Sequence, residues 1–340
     1  QKINFTENKN FILVKNLVLL NNFKIQSLDN IDVNFYNENG VINNFKIIKN
    51  LNKYQFTGSQ IDGERILEKI LKDKNEIKFS NFFENINTSV ILNLDKIYLE
   101  KDQYLKKLNG EFDIKNNKLI LAKADAVLEN GNKFSYSLRK TDKNEKITNI
   151  LIEEPKPFIN NYKFIKGFEE GVLKLNSLKI DNTSRSNLKI TNFKVKEVPI
   201  LAKILTLASL QGIADLLTGE GIRFNEFEMI FNNKAGLMTI EEIYSLGPSI
   251  SILMDGYIQK DDLVSLRGTL VPATTVNKVI GSIPLIGDIL VGKKAGEGVF
   301  GVSFKIKGYP DDLKTTVNPI KTLTPRFITR TLEKIKKSSQ

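Results

Sequence analysis

Lys133–Arg139 reads KFSYSLR. In an extended chain Phe134, Tyr136 and Leu138 fall on one side, and Lys133, Ser135, Ser137 and Arg139 on the other, because successive side chains of a strand alternate between faces. That alternation predicts an antiparallel strand with one apolar face and one wet face. The same period recurs along the chain. Ser89–Leu94 sets Val90, Leu92 and Leu94 against Ile91 and Asn93. Ser249–Ile258 puts Ile250, Ile252, Met254 and Ile258 on one side. Val299–Lys307 puts Phe300, Val302, Phe304 and Ile306 opposite Ser303, Lys305 and Lys307.

Between these runs stand Asn39-Gly40, Asn116-Asn117, Asn130-Gly131, Asn232-Asn233 and Asp261-Asp262. Asn, Asp and Gly tolerate the left-handed backbone of tight hairpins, so each pair predicts a turn. The run–turn–run units recur without a strict sequence repeat, as in an array built from similar pieces.

Helical signals are few. Asp62-Gly63-Glu64 leads into Arg65–Leu71, where Ile66, Leu67, Ile70 and Leu71 share a face, predicting a short helix near 63–72. Val198–Phe224, VPILAKILTLASLQGIADLLTGEGIRF, reads as one long apolar helix over 198–217 that stops at a glycine pair and hands over to a strand. Such a helix spans a membrane, covers the open end of a sheet or meets a bilayer surface. Lys203, Gln211 and Asp215, with the return to a strand, disfavour the span. Thr275–Leu290 predicts two short helices kinked at Gly281 and Pro284. Asn318-Pro319 predicts the start of a last helix, with Thr324-Pro325 as a second start. On that tail Phe327, Ile328, Leu332 and Ile335 gather on one side, while Arg326, Arg330, Lys334, Lys336 and Lys337 cluster mostly elsewhere. A basic amphipathic helix of this kind lies in a headgroup region or packs on a sheet.

The chain has 340 residues, no Cys, no His and no Trp, and a formal charge of +11. No disulfide or thiolate metal site is possible. Without His, the Ser-His-Asp and Cys-His hydrolases are excluded, as are most zinc enzymes. Acidic pairs such as Glu153-Glu154 and Glu241-Glu242 are sequence neighbours, which point to opposite faces of a strand and form no carboxylate dyad. Gly292–Gly298 lacks the order of a phosphate loop. The residues therefore predict no enzyme, no cofactor and no metal. The positive charge fits a polyanionic partner or the composition of an AT-rich genome. The lysines are spread along the chain, unlike the clustered footprint of a nucleic-acid reader, so no nucleic-acid partner is expected.

Strands with one apolar face need a second layer. Three helical regions are too little to cover them. Either the sheet closes as a sandwich or barrel, or it curls into an open trough with an apolar inside. Such a trough suits acyl chains, each buried methylene contributing about 0.8 kcal/mol.

LTLASLQGIADLLTGEGIRF (Leu205–Phe224), GTLVPATTVNKVIGSIPLIGDIL (Gly268–Leu290), GEGVFGVSFKIKGYPDDLKTTVNPI (Gly296–Ile320) and TPRF (Thr324–Phe327) resemble the C-terminal region of AsmA-like envelope proteins of the YhdP type. LMTIEEIYSLGPSISILMDGYI (Leu237–Ile258) and FTGSQIDGERILEKIL (Phe56–Leu71) are similar in style. The resemblance implies a periplasmic, bridge-like lipid transfer protein of a Gram-negative bacterium. It would be anchored to the inner membrane by an N-terminal segment absent from this chain, and would support phospholipid transport between inner and outer membranes and outer-membrane integrity. It implies no catalytic residues.

The expectation is thus a mainly β fold: an elongated, curled antiparallel sheet forming a taco-like groove, with a few capping α-helices near the C-terminal end. Residues 1–197 supply groove strands and the short helix near 63–72. Residues 198–317 form an AsmA-like C-terminal module, with helices near 198–217 and 275–290. Residues 318–340 form the basic tail helix. Val90, Leu92, Leu94, Phe134, Tyr136, Leu138, Ile250, Ile252, Met254, Phe300, Val302, Phe304 and Ile306 are expected to line the groove. The partners expected are phospholipid and, through the tail, the inner leaflet of the outer membrane. The other reading is a non-transporting envelope scaffold that assists outer-membrane protein assembly.

Overall fold

The computed structural model describes residues 2–37, 40–64, 83–100, 102–159, 166–272 and 301–320. Strands make up 69% of the described residues, which also hold three short helices. The fold is mainly β, as the alternation demands. Eighteen strands belong to one largely antiparallel sheet that does not close into a barrel, and two short ones form a separate ribbon. By contacts the chain divides into two compact units, Gln1–Asn161 with Val172–Asp181, and Tyr162–Gly171 with Asn182–Gln340. The strand Lys166–Ile180 is shared between the two units.

In the first unit the order is β1 (Ile3–Glu7), β2 (Asn10–Lys15), the ribbon β3 (Val18–Leu19) and β4 (Ile25–Ser27), then β5 (Asn30–Tyr36), β6 (Ile42–Asn50), β7 (Lys53–Asp62), β8 (Thr88–Glu100), β9 (Gln103–Lys115), β10 (Lys118–Leu128), β11 (Lys133–Lys140) and β12 (Glu145–Ile152). A four-residue helix α1 (Lys156–Ile159) follows, and then β13 (Lys166–Ile180), whose later part belongs here. Apart from the ribbon, each strand pairs with the next: β1 with β2, β2 with β5, and so on to β12 with β13. Asn116 and Asn117 turn the β9–β10 hairpin with φ of 49° and 59°, the left-handed pair that a two-residue loop requires.

One pairing departs from expectation. β7 and β8 are parallel, with Phe56 opposite Leu92. A parallel pair needs a crossover connection, because a hairpin reverses the chain. The short helix expected near 63–72 falls in that crossover and, from 65 on, lies outside the described residues.

The second unit runs β14 (Thr183–Lys196), α2 (Pro199–Leu207), α3 (Gln211–Thr218), β15 (Ile222–Lys234), β16 (Leu237–Leu246), β17 (Ile250–Ile258), β18 (Val264–Pro272), β19 (Gly301–Tyr309) and β20 (Asp312–Ile320). Each strand from β14 to β20 pairs antiparallel with its successor. The expected turn at Asn232-Asn233 is instead strand. The chain turns at Ala235-Gly236, with φ of 51° and 85°, and Asn232 donates its side-chain amide to Glu241.

The single helix expected over 198–217 is two helices. Ser209 takes a left-handed φ of 58°, which breaks the α-helical path after Ala208. The break lets Leu201, Ile204, Leu205, Ala214 and Leu217 all be buried, which one straight rod would not allow. α2 packs against β20 and α3 against β14. In a flat sheet those strands would lie about 28 Å apart, at about 4.7 Å per strand spacing. A helix pair is too narrow to reach both, so the strands of this unit curl around it.

Asn318 and Pro319 are the end of β20, with Pro319 opposite Val302, and do not begin a helix. Proline lacks the N–H of a central strand and is at home on an edge. The helical region near 275–290 and the second tail start at Thr324-Pro325 lie outside the described residues.

Gly256 tests the close packing of these strands. Its φ is +147°, and a Cβ there would lie 2.1 Å from the carbonyl oxygen of Ser265. Gly256→Ala is expected to destabilise the protein by about 2 kcal/mol or more, read as a lower urea midpoint at unchanged slope.

Candidate functional site

Pairing registers decide which side chains share a face. In the first unit they join into unbroken rows that run across the strands. One row is Ile3, Val14, Ile31, Ile47, Phe56, Leu92, Gly110, Ala124, Tyr136, Ile150 and Leu175. A second begins Phe5, Ile12, Val33, Phe45, Gly58, Leu94 and Leu108. Past the left-handed Lys107 it continues in Ala126, Phe134, Ile152 and Leu173. A third, shorter row holds Tyr54, Val90, Phe112, Ala122 and Leu138, then gives way to Thr148 and Ser177. The structure therefore gathers Val90, Leu92, Leu94, Phe134, Tyr136 and Leu138 on a single face.

The opposite face is mostly polar along the same path. Asp32 pairs with Lys46 at 3.2 Å, and Thr57, Asn93, Asn109, Asp125 and Ser135 follow in register before Leu151, while the neighbouring row runs Gln55, Ile91, Glu111, Lys123, Ser137, Asn149 and Asn176. Water wets that side at little cost.

The apolar face is unevenly covered. Toward one rim, Ile61, Leu99, Leu105, Leu128 and Ile152 are each no more than 5% exposed. There α1 lies on the sheet, with Phe158 stacked on Phe134 at 5.6 Å between ring centroids. Toward the other rim, Val90, Leu92, Phe112, Tyr136 and Leu138 remain half-buried. Between them β10 contributes only Ala122, Ala124 and Ala126, a shallow floor below taller neighbours. Tyr54 closes the third row with its hydroxyl donated to the Leu28 carbonyl at 2.8 Å. Burial, aided by the Asp29 charge, raises the pKa of that phenol.

In the second unit Ile250, Ile252, Met254, Val302, Phe304 and Ile306 also share one face, with Leu270 across from both Ile252 and Val302. Here the face is closed: Ile250, Leu270 and Val302 are 0% exposed. Phe168, Phe193 and Phe224 stack in succession at 5.3 and 5.4 Å. The reverse face carries cross-strand ion pairs, Arg185 to Glu241 at 2.7 Å and Arg267 to Asp255 at 2.8 Å. Arg223 grips both oxygens of Glu170, at 2.7 and 3.0 Å. Phe300 and the tail residues Arg326, Phe327, Ile328, Arg330, Leu332, Lys334, Ile335, Lys336 and Lys337 lie outside the described residues.

Sequence reading missed most of the row, including Ile3, Val14, Ile31, Ile47, Phe56, Ala124 and Leu175. The β10 signal was present, since Ala122, Ala124 and Ala126 alternate with Lys123 and Asp125. Among the described residues no cluster of metal-ligating side chains occurs and no helix is long and apolar enough to cross a membrane.

Comparison with protein-family models, with curated proteins and with solved structures returns no match.

The hydrogen bond from Arg223 lowers the pKa of Glu170; desolvation opposes it, and the Arg223 and Lys194 charges lower it further. A carboxylate whose folded pKa is depressed stabilises the fold above its unfolded pKa and loses that contribution as pH falls through the folded value. Glu170→Gln is therefore expected to lower thermal stability at pH 6 to 7 slightly. The gap to the parent should shrink below about pH 4.5, the ordinary range of a free carboxylate. Melting temperatures of both proteins from pH 7 to 3 check this.

Proposed function

We propose that this chain shields the acyl chains of lipids on the apolar face of its sheet. It would serve as the periplasmic part of an AsmA-like envelope protein that supports phospholipid movement between inner and outer membranes. The observation that carries the reading is the first cross-strand row, apolar from Ile3 to Leu175 with no charged residue in it. At about 4.8 Å per strand it would extend about 48 Å if laid flat. A core needs depth, whereas a path for a sliding chain needs length without a polar barrier. Half-burial of Leu92, Tyr136 and Leu138 supports an occupant from outside the chain. Anchoring by an N-terminal membrane segment and contact of the tail with the outer membrane belong to the same proposal and rest on the resemblance described above.

The second reading is a non-transporting scaffold, and one observation favours it for the second unit. There the apolar face is sealed, with Ile250, Leu270 and Val302 fully buried, as in an ordinary packed core.

Photo-crosslinking amino acids placed at Leu92, Tyr136 and Leu138 should give lipid adducts in intact cells. The same probes at Asn93, Ser137 and Asn149 on the polar face should give none. Adducts only to protein from both sets would favour the scaffold.

A further inference from the structure

The two rims of the first unit's sheet carry opposite charge. The β6–β7, β9–β10 and β11–β12 turns share one rim, fixed by the pairings of Lys53 with Ser89, Thr88 with Ile114, and Lys140 with Lys146. That rim holds Lys49, Lys53, Lys115, Lys118, Lys140 and Lys143, all exposed. Asp142 and Glu145 stand among them, and the other rim holds Asp102, Glu129, Glu153 and Glu154 with Lys133 and Lys156, so the balance of charge is positive on the first and negative on the second.

Lys140 lies two residues beyond Leu138 and so on the apolar face. Across the strands it faces Lys146, which faces Lys179, giving a row of three lysines parallel to the apolar rows. Lys146 and Lys179 each have a further interaction partner. Beside this row an open concavity of about 270 Å³ is lined by Lys115, Ile120, Lys140, Thr141, Asp142 and Asn144. Among the described residues neither Lys115 nor Lys140 is paired with a carboxylate. Asp142 lines the concavity, and the hydroxyl of Thr141 donates to the Glu145 carboxylate at 3.3 Å. Ile120 leads from the concavity to Ala122 and Leu138, on the side of the face that α1 leaves half-open.

We infer that this concavity, through Lys115 and Lys140, holds the anionic phosphate headgroup of a lipid whose acyl chains lie on the adjoining apolar rows, so that lipids ride with their heads at the basic rim. The inference rests on the acyl-shielding reading and adds an orientation and a headgroup preference to it. Charge complementarity selects the occupant: the lysines lie on the margin of an apolar surface, where an amphiphile meets both. The acidic rim repels the same headgroup and is the side sealed by α1.

The test uses the whole chain, incubated with vesicles of equimolar phosphatidylglycerol and phosphatidylcholine with matched acyl chains, re-isolated and extracted for mass spectrometry. The parent is expected to enrich phosphatidylglycerol several-fold. Lys115→Gln with Lys140→Gln should bring the ratio back toward that of the vesicles while total lipid bound stays similar. Lys115→Arg with Lys140→Arg should retain the enrichment, and Lys133→Gln on the acidic rim should leave it unchanged. Circular dichroism confirms that each variant is folded. Lipid bound by the parent in the vesicle ratio overturns the headgroup site and leaves the apolar path standing. No lipid bound at all overturns both. Inorganic phosphate that saturates the concavity while phosphatidylglycerol shows no preference assigns it to free anions and overturns the inference.

Discussion

Pairing register is the constraint on which the rest depends. Side chains alternate with a period of two, so a slip of one residue between any two strands would carry every apolar residue of one of them to the wet side. In the first unit the phase holds from β1 to β13 through one change of strand direction and several bulges. At Lys107 a left-handed residue restores Leu105 to the side of Leu108, where the period alone would have lost it. The polar face reinforces the phase: Asp32 with Lys46 and Arg267 with Asp255 are directly opposite pairs, and either would be broken by a slip.

The two units use the same two-faced strands differently. In the second, α2 and α3 occupy the curl and the apolar side is shut, with stacked phenylalanines at its start and Leu270 and Val302 within it. In the first, among the described residues, one turn of helix lies over the acidic side. Alanines on β10 keep the floor low, and the larger residues on either side stay partly wet. Apolar surface left so is costly at about 25 cal/mol per Å², and that cost falls whenever another apolar surface displaces the water.

The strand faces were legible because alternation is local. KFSYSLR states its own two sides, and so do the stretches around Val90, Ile252 and Phe304. What crosses strands was not legible. The row from Ile3 to Leu175 exists only once each turn has set its register, and Ala235-Gly236 displaced the more obvious Asn232-Asn233 by three residues. The parallel step from β7 to β8 depends on a crossover that no hairpin signal announces. The apolar run after Val198 concealed a bend, because Ser209 carries no mark of a helix breaker. The lysines looked scattered for the same reason: turns that lie far apart in sequence return to one rim.

Strictly sequential pairing has a consequence for how such a molecule changes size. Each strand of the first unit's main path is hydrogen-bonded only to its neighbours in that path, so the ladder itself needs no distant strand to adjust when one is added or removed. Duplication of a hairpin inserts two strands, restores the original chain direction and leaves both surfaces in phase. Span then becomes a trait that varies in increments of about 10 Å, two strand spacings, without redesign of either face.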